Sequence, residues 1–249
     1  MSRRFIPPDE EGAVFKEWGG RLPVALIYPN SYYVGMSSLG LQALYGIFNG
    51  YDDVVCERVF LPDGFEKQRK VEVRSLESGS ELRQFPVLAF SFTYELDYFN
   101  FARMLKAGGI PPYAADRGPN DPVIIAGGPA VFMNPEPVAP FIDAIVIGEG
   151  EPIIDPLLKV LREARSSDRL DVLARLAAIP GVYVPSFYTV EYHADGTVDH
   201  ILTEAAFPVL RQTAGALNSF STTSTFKAPS SEFGHMHLIE IARGCHWRC

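Results

Sequence analysis

Short apolar runs alternate with segments of helical periodicity from residue 22 to about residue 165. The apolar runs are continuous, which is typical of strands buried on both faces of a parallel sheet. The segments between them repeat apolar residues every three or four positions, as amphipathic helices do. We therefore predict an α/β fold with a doubly wound, Rossmann-like parallel sheet of about five strands. The predicted strands are residues 22–28, 54–61, 87–92, 123–126 and 144–147, and residues 71–76 are a candidate edge strand.

The pattern changes after residue 165 and predicts a smaller α+β segment. We expect a short helix over residues 171–178 and a hairpin of residues 182–192 and 197–202, because Ala194-Asp195-Gly196 is a turn-forming sequence. Residues 237–242 then read as a new strand outside the first sheet. The predicted organisation is an extension (1–21), the Rossmann-like domain (22–165), a helix and hairpin (166–211), a linker (212–236) and the start of a second domain (237–249).

Ligands of open parallel sheets bind in the loops at the carboxyl ends of the strands. Here those loops are residues 29–36, 91–93, 127–130 and 148–151, and we expect all four to converge on one cleft. Their small residues would let the backbone come close to a ligand. The candidate binding residues are Asn30, Tyr33, Gly35, Ser91, Thr93, Gly127, Gly128, Gly148, Glu149 and Gly150. No residue is assigned a catalytic role.

Composition, charge and cysteine content argue against several classes of function. The chain has 249 residues, 47% of them apolar, and a net charge of −8, which argues against nucleic acid as the main ligand. No apolar run is long enough to span a membrane, and the N-terminus does not resemble a signal peptide. Three cysteines do not form a disulfide framework, so we expect a protein of the reducing cytoplasm in which Cys56 is a small buried residue.

The other two cysteines carry the strongest chemical signal. Cys245 and Cys249 follow Arg243-Gly244 directly after the last predicted strand. This arrangement resembles the opening of a radical S-adenosylmethionine (SAM) domain, a partial β/α barrel whose CxxxCxxC motif follows its first strand. Three thiolates in one loop can ligate three irons of a 4Fe–4S cluster. The third cysteine would fall three residues beyond Cys249, so we expect this chain to be the N-terminal part of a longer protein.

The resemblance implies a set of cofactors and partners. Cys245 and Cys249 would be metal ligands, and the fourth iron would bind SAM, whose sulfur–carbon bond is cleaved reductively to make a radical. An electron donor such as flavodoxin or ferredoxin would be the protein partner. Without its third ligand, this chain alone is expected to be inactive.

The upstream domain resembles the cobalamin-binding domains that precede some radical SAM barrels. Ser91-Phe92-Thr93 and Gly127-Gly128 stand where those domains have elements beside the nucleotide tail, and the turn of residues 148–151 stands at the last ligand-side loop. The first loop departs from the family pattern, since it lacks the histidine that binds cobalt in many of these domains. The resemblance implies bound cobalamin without that ligand, with methyl transfer among the reactions it would serve.

Two alternatives remain open from the sequence. One is a radical SAM enzyme whose N-terminal domain binds no cobalamin and serves for structure or substrate docking. The other is a ligand-binding module with a zinc-type cysteine pair. The sequence does not identify a substrate under any of the three hypotheses.

Overall fold

A computed structural model describes residue 7 and residues 9–164, 167–215 and 222–244. Six helices and eight strands make up the regular structure of these residues. The helices are α1 (Tyr32–Met36), α2 (Leu39–Asn49), α3 (Asp97–Ala107), α4 (Pro129–Met133), α5 (Glu151–Leu161) and α6 (Arg169–Ala177). The strands are β1 (Leu22–Ser31), β2 (Val54–Leu61), β3 (Val87–Ser91), β4 (Val123–Gly127), β5 (Ala144–Val146), β6 (Val182–Tyr183), β7 (Tyr188–Tyr192) and β8 (Val198–Thr203).

The main sheet has six strands in the order β2-β1-β3-β4-β5-β6. The first five are parallel, and β6 is added antiparallel to β5 at the edge. The order reverses between β1 and β3, because the chain first steps from β1 to β2 and later returns to the other side of β1. Such a switch point is where doubly wound sheets open a ligand crevice.

Both faces of the sheet are covered, as the continuous apolar strands predicted. Alternate residues of β1 point to opposite faces: Val24 and Leu26 pack with α2, α5 and α6, whereas Ala25 and Ile27 pack with α3 and α4. The α/β, doubly wound fold predicted from the sequence is confirmed. Among the described residues, no helix is both long enough and apolar enough to cross a bilayer.

Local residue types account for several element ends. The Ser38 hydroxyl caps α2 by accepting a hydrogen bond from the amide of Leu41, and α2 ends before Gly50. Helix α3 likewise ends before Gly108, and Pro152 lies in the first turn of α5. Strand β2 has the predicted bounds, while the other parallel strands of the main sheet differ by one to three residues.

Four local predictions were wrong. Residues 71–76 form no strand and make only isolated bridges, such as Val59 with Ser75. Residues 182–183 leave the predicted hairpin and join the main sheet, so the hairpin is β7 and β8 alone. Within the described residues, 237–242 contain a single bridge, between Thr223 and Ile239, instead of a strand. Residues 71–76 and 237–242 have an apolar pattern but no neighbouring strand to pair with along their length, whereas residues 182–183 find a partner in β5.

The fourth correction concerns the segment predicted to be a linker. Part of it, residues 222–232, packs on the sheet domain, where Phe226 and Ala228 are buried. Lys227 pairs through its backbone with Glu11 of the N-terminal extension. The low hydrophobic periodicity of this segment hid the fact that two apolar residues are enough to anchor it.

A buried arginine joins the extension to the sheet. The guanidinium of Arg58, on β2, contacts both carboxylate oxygens of Glu10 at 2.6 and 2.9 Å and one of Glu77 at 2.8 Å. It also lies over the rings of Tyr45 and Phe226, at 4.9 and 4.7 Å from their centroids. The Arg58 cluster (Arg58, Glu10, Glu77) therefore holds together three separate segments of the chain.

Candidate functional site

A cleft lies over the middle of the sheet because no described helix covers β3 on one face. Helix α2 packs beside β1 and β2, and α5 packs on the same face toward β4 and β5. Between them Ala89 of β3 forms the floor, flanked in register by Leu26 of β1 and Ile125 of β4. Ala89 is only partly buried although it lies on a central strand. The cavity of about 630 Å³ falls within the range of small-molecule and cofactor sites.

The walls of the cleft are mostly apolar. One wall is the start of α2, with Leu39, Gly40, Ala43 and Leu44. The opposite wall is α5, with Ile153, Ile154 and Leu157. Polar groups gather at the carboxyl edge of the sheet, so a ligand would place an apolar or flat part inside and polar atoms at this rim.

Seven of the ten predicted binding residues line this cleft. They come from the loops after β3, β4 and β5: Ser91, Thr93, Gly127, Gly128, Gly148, Glu149 and Gly150. The structure thus brings together three of the four loops on which we expected a ligand to bind.

Residues 29–36, predicted as the first of these loops, form the end of β1 and helix α1 and do not line the cleft. The Asn30 side-chain amide donates to Asp97 at 3.0 Å, and Asn100 donates to the carbonyl of Pro29 at 2.9 Å. Both partners belong to α3, which packs on the opposite face of the sheet, so these contacts draw the loop away from the cleft. The expected convergence of all four loops was therefore wrong, and α2 supplies the missing wall.

The other two predicted residues of that loop have different surroundings. Tyr33 is 48% exposed and borders a separate cavity that includes Phe60. Gly35 packs so closely on the ring of Phe60 that a Cβ atom there would clash with it. The requirement for glycine at position 35 is thus explained by packing on Phe60.

The glycines of the cleft fall into two groups. Gly128 (φ +104°) and Gly148 (φ +116°) have backbone conformations that favour glycine, and a Cβ atom at either would clash with the backbone, of Phe92 and Gln212 respectively. Gly127 differs, because its Cβ would meet nothing closer than Val146 at 3.8 Å. Gly128 and Gly148 therefore serve the fold, whereas Gly127 leaves space that a ligand can use.

A charged cluster borders the cleft at the start of α5. The guanidinium of Arg243 contacts Glu151 at 2.5 Å, Glu240 at 2.7 and 2.9 Å, and Glu149 at 3.3 Å. Glu149 also accepts a hydrogen bond from the amide of Ala214 at 2.6 Å. The hydrogen bonds that Arg243 donates to Glu240 and Glu151 raise the pKa of Arg243, and the bond that Glu240 accepts lowers the pKa of Glu240.

Sequence reasoning missed this rim cluster (Arg243, Glu149, Glu151, Glu240). Only Glu149 was among the predicted binding residues, and Arg243 was noted solely as a neighbour of the cysteine motif. The charge of Arg243 and its position two residues before Cys245 were the sequence features that could have pointed to the rim cluster. Glu149 and Glu151 are about 90 residues from Arg243 in sequence, so periodicity could not reveal these ion pairs.

The predicted metal ligands, Cys245 and Cys249, lie outside the described residues. Cys56 is fully buried in β2, and burial raises the pKa of its thiol, which suits a core residue. Within the described part of the chain, no group of three or more His, Cys, Asp or Glu side chains has the arrangement of a metal site.

Comparisons with known proteins agree with the resemblance to radical SAM proteins. The sequence model of a family described as "Radical SAM proteins, N-terminal" matches residues 40–185, more than half of the chain. An uncharacterised protein of Methanocaldococcus jannaschii is 28% identical over 228 residues, which is 91% of this chain and 39% of that protein. The chain thus spans about two fifths of the length of this relative. No solved structure matches the chain.

Proposed function

This chain belongs to the family of N-terminal domains of radical SAM proteins, and from that membership we propose a specific role for it. It is part of an enzyme that cleaves SAM reductively with a 4Fe–4S cluster, and its cleft binds cobalamin. The enzyme works in the reducing cytoplasm and takes its electron from a flavodoxin- or ferredoxin-type donor. Methyl transfer is the reaction that this pair of cofactors suits best.

The proposal for the cluster rests on the end of the chain. Cys245 and Cys249 have the spacing of the first two cysteines of the radical SAM motif, and a third ligand would follow three residues later. When bound, the cluster would supply the electron for SAM cleavage and cobalamin would supply a carrier for a methyl group. The residues of this chain would hold both groups and keep water from the apolar part of the cleft.

One observation carries the proposal for cobalamin: an open cleft over a central strand, with small residues on its floor. Ala89 and Gly127 leave room for a flat, bulky group directly against the sheet. Ser91 and Thr93 place hydroxyl groups at the rim, where the sugar and phosphate of a nucleotide tail need hydrogen bonds. No histidine lines the cleft among the described residues, so cobalt would lack a nitrogen ligand from it.

Titration of the chain with hydroxocobalamin, followed by visible absorbance and equilibrium dialysis, tests this assignment. We expect binding with a spectrum that shows no protein nitrogen on cobalt. Ala89→Leu places a larger side chain on the cleft floor, and it should weaken binding at least about tenfold because it takes volume from the ligand.

Ala107→Leu is the matched control, since Ala107 is an exposed residue of α3 on the opposite face of the sheet. It should bind cobalamin like the wild type. Equal binding by Ala89→Leu and the wild type would exclude this cleft as the site. A folded wild-type chain that retains no cobalamin would favour the second candidate function.

That second candidate is a domain that docks substrate for a radical SAM enzyme without cobalamin. The apolar walls of the cleft favour it, since they provide few groups for a charged cofactor. Under this hypothesis Ala89→Leu would leave SAM cleavage unchanged and impair substrate turnover.

The cluster has its own test in a longer chain that contains the third cysteine. Reconstitution without oxygen should give a brown protein that cleaves SAM when reduced, and Cys245→Ala or Cys249→Ala should abolish both properties. Full cluster content in either variant would refute the radical SAM assignment of these residues. Zinc bound in place of iron would support the remaining alternative, a zinc-type cysteine pair.

A further inference from the structure

The segment that leads to the cysteine motif is held to the domain by a few polar contacts. The amide of Glu240 donates to the carbonyl of Thr222 at 2.9 Å, and the amide of Ser224 donates to that of Leu238 at 2.8 Å. Apolar burial contributes little, because the side chains of Ile239 and Ile241 are 60% and 93% exposed. The Ser224 hydroxyl also accepts a hydrogen bond from the amide of Leu238 at 3.0 Å and lies 3.3 Å from Nδ1 of His237. A further attachment is the guanidinium of Arg243.

Arg243 connects this segment to the wall of the cleft. Its Nη1 and Nη2 atoms contact Glu149 and Glu151, the residues on either side of Gly150 where α5 begins. Its Nε atom contacts Glu240 of the incoming segment at 2.7 Å. A planar guanidinium can satisfy three carboxylates in this way, which the point charge of a lysine cannot do with the same geometry.

The reach of the chain relates this contact to the cysteines. Cys245 is two residues after Arg243, so their Cα atoms are separated by at most about 7 Å. Arg243 itself lines the cleft. Fixing the guanidinium on α5 therefore limits how far the start of the cysteine motif can lie from the cleft.

We propose that Arg243 is a positioning residue, which clamps the segment entering the cysteine motif to the start of α5 and so couples that segment to the contents of the cleft. The clamp itself requires only the contacts above. The identity of the ligand to which it responds rests on the proposed function, and two experiments separate these parts.

Hydrogen exchange measured by mass spectrometry on this chain tests the clamp without any ligand. In Arg243→Gln, amides of residues 237–244 should exchange about tenfold faster, as expected for the loss of charge-assisted hydrogen bonds. Arg243→Lys should restore protection in part. Strand β3 should exchange at the wild-type rate in both variants.

Arg175→Gln is the matched control. Arg175 lies on α6, away from the rim cluster, and forms exposed ion pairs with Glu163 and Asp171. It should leave exchange of residues 237–244 unchanged. Wild-type exchange of these residues in Arg243→Gln would overturn the proposal.

A spectroscopic experiment tests the coupling to the cleft. Trp247 lies within the cysteine motif, and cobalamin absorbs at the wavelengths where tryptophan emits. The signal of Trp247 is the difference between the wild type and Trp247→Phe, which removes the contribution of Trp18, the other tryptophan of the chain. Saturating hydroxocobalamin should quench this signal. Compared at equal occupancy, measured by equilibrium dialysis, Arg243→Gln should lose most of the quenching.

Equal quenching of the Trp247 signal in Arg243→Gln and the wild type would refute the coupling. If the wild type binds no hydroxocobalamin, the proposed cofactor is wrong, and the exchange experiment still decides whether Arg243 acts as a clamp. A purely structural role of Arg243 would alter global stability without a selective loss of energy transfer from Trp247.

Discussion

Two arginines of this domain each gather carboxylates from distant segments, but they do so in opposite surroundings. In the Arg58 cluster the three side chains are at most 3% exposed, and aromatic rings close the remaining sides. In the rim cluster the four side chains are 11 to 24% exposed and border the cleft. Water cannot replace a lost partner in the first cluster, whereas it can in the second.

The difference separates a structural contact from one that can open and close. Breaking the Arg58 cluster leaves ionised groups without solvent, so the contact persists as long as the domain is folded. Breaking the rim cluster exposes its charges to water, which costs little free energy, so Arg243 can respond to a ligand or a neighbouring domain. The same residue types thus serve the fold at one place and the site at the other.

The largest effect should come from Arg58→Met. This change leaves Glu10 and Glu77 buried without a cation, and we expect the free energy of unfolding to fall by about 3–5 kcal/mol. Urea unfolding followed by circular dichroism measures it. Adding Glu10→Gln and Glu77→Gln to this variant should recover part of the loss, because the unpaired charges are removed. A loss below about 1 kcal/mol would show that water reaches this cluster after all.

A smaller effect should distinguish the packed part of the cleft from its open part. Gly128→Ala places a Cβ against the backbone of Phe92 in a conformation that favours glycine, and it should lower the free energy of unfolding by about 2–3 kcal/mol. Gly127→Ala meets no close neighbour, and it should stay within about 0.5 kcal/mol of the wild type. Urea unfolding midpoints of the two variants measure this difference. Equal destabilisation by the two substitutions would contradict the prediction.

Removal of the rim cation should have a modest global effect. We expect Arg243→Gln to lower the free energy of unfolding by about 1 kcal/mol or less, because all four groups of the rim cluster are partly solvated. The same urea experiment as for Arg58→Met gives the value. A loss as large as that of Arg58→Met would remove the distinction between the two clusters.

The smallest effect concerns pH. The hydrogen bond from Arg243 lowers the pKa of Glu240 below its ordinary value of 4.5, so the contribution of this carboxylate is fully present above that value. It is lost as the pH falls through the lower pKa of the folded state. The difference in unfolding free energy between the wild type and Glu240→Gln should therefore be constant from neutral pH to about pH 5. Below about pH 5 this difference should shrink. If the difference in unfolding free energy grew as the pH fell, the pKa of Glu240 would be raised in the folded state, contrary to this prediction.

Hydrophobic pattern predicted the sheet well because each central strand is buried on both faces. A run such as residues 22–28 is buried on both faces, and the interior of a parallel sheet suits such a continuous apolar run. Helix ends also follow local residue preferences: Ser38 caps α2, and Gly50 and Gly108 directly follow α2 and α3. The pattern failed at residues 71–76 and 237–242, where strand formation depends on a partner that local sequence does not specify.

The sequence by itself determined the α/β fold, the loops after β3, β4 and β5 as cleft residues, and the CxxxC spacing, since each depends on neighbours within a few positions. Tertiary structure decided the rest. Only the packing of α3 shows that Asn30 is drawn away from the cleft, and only the crossing of distant segments brings Arg243 to Glu149 and Glu151. Contacts between residues about 90 positions apart follow from how elements pack, and no periodicity along the chain encodes them.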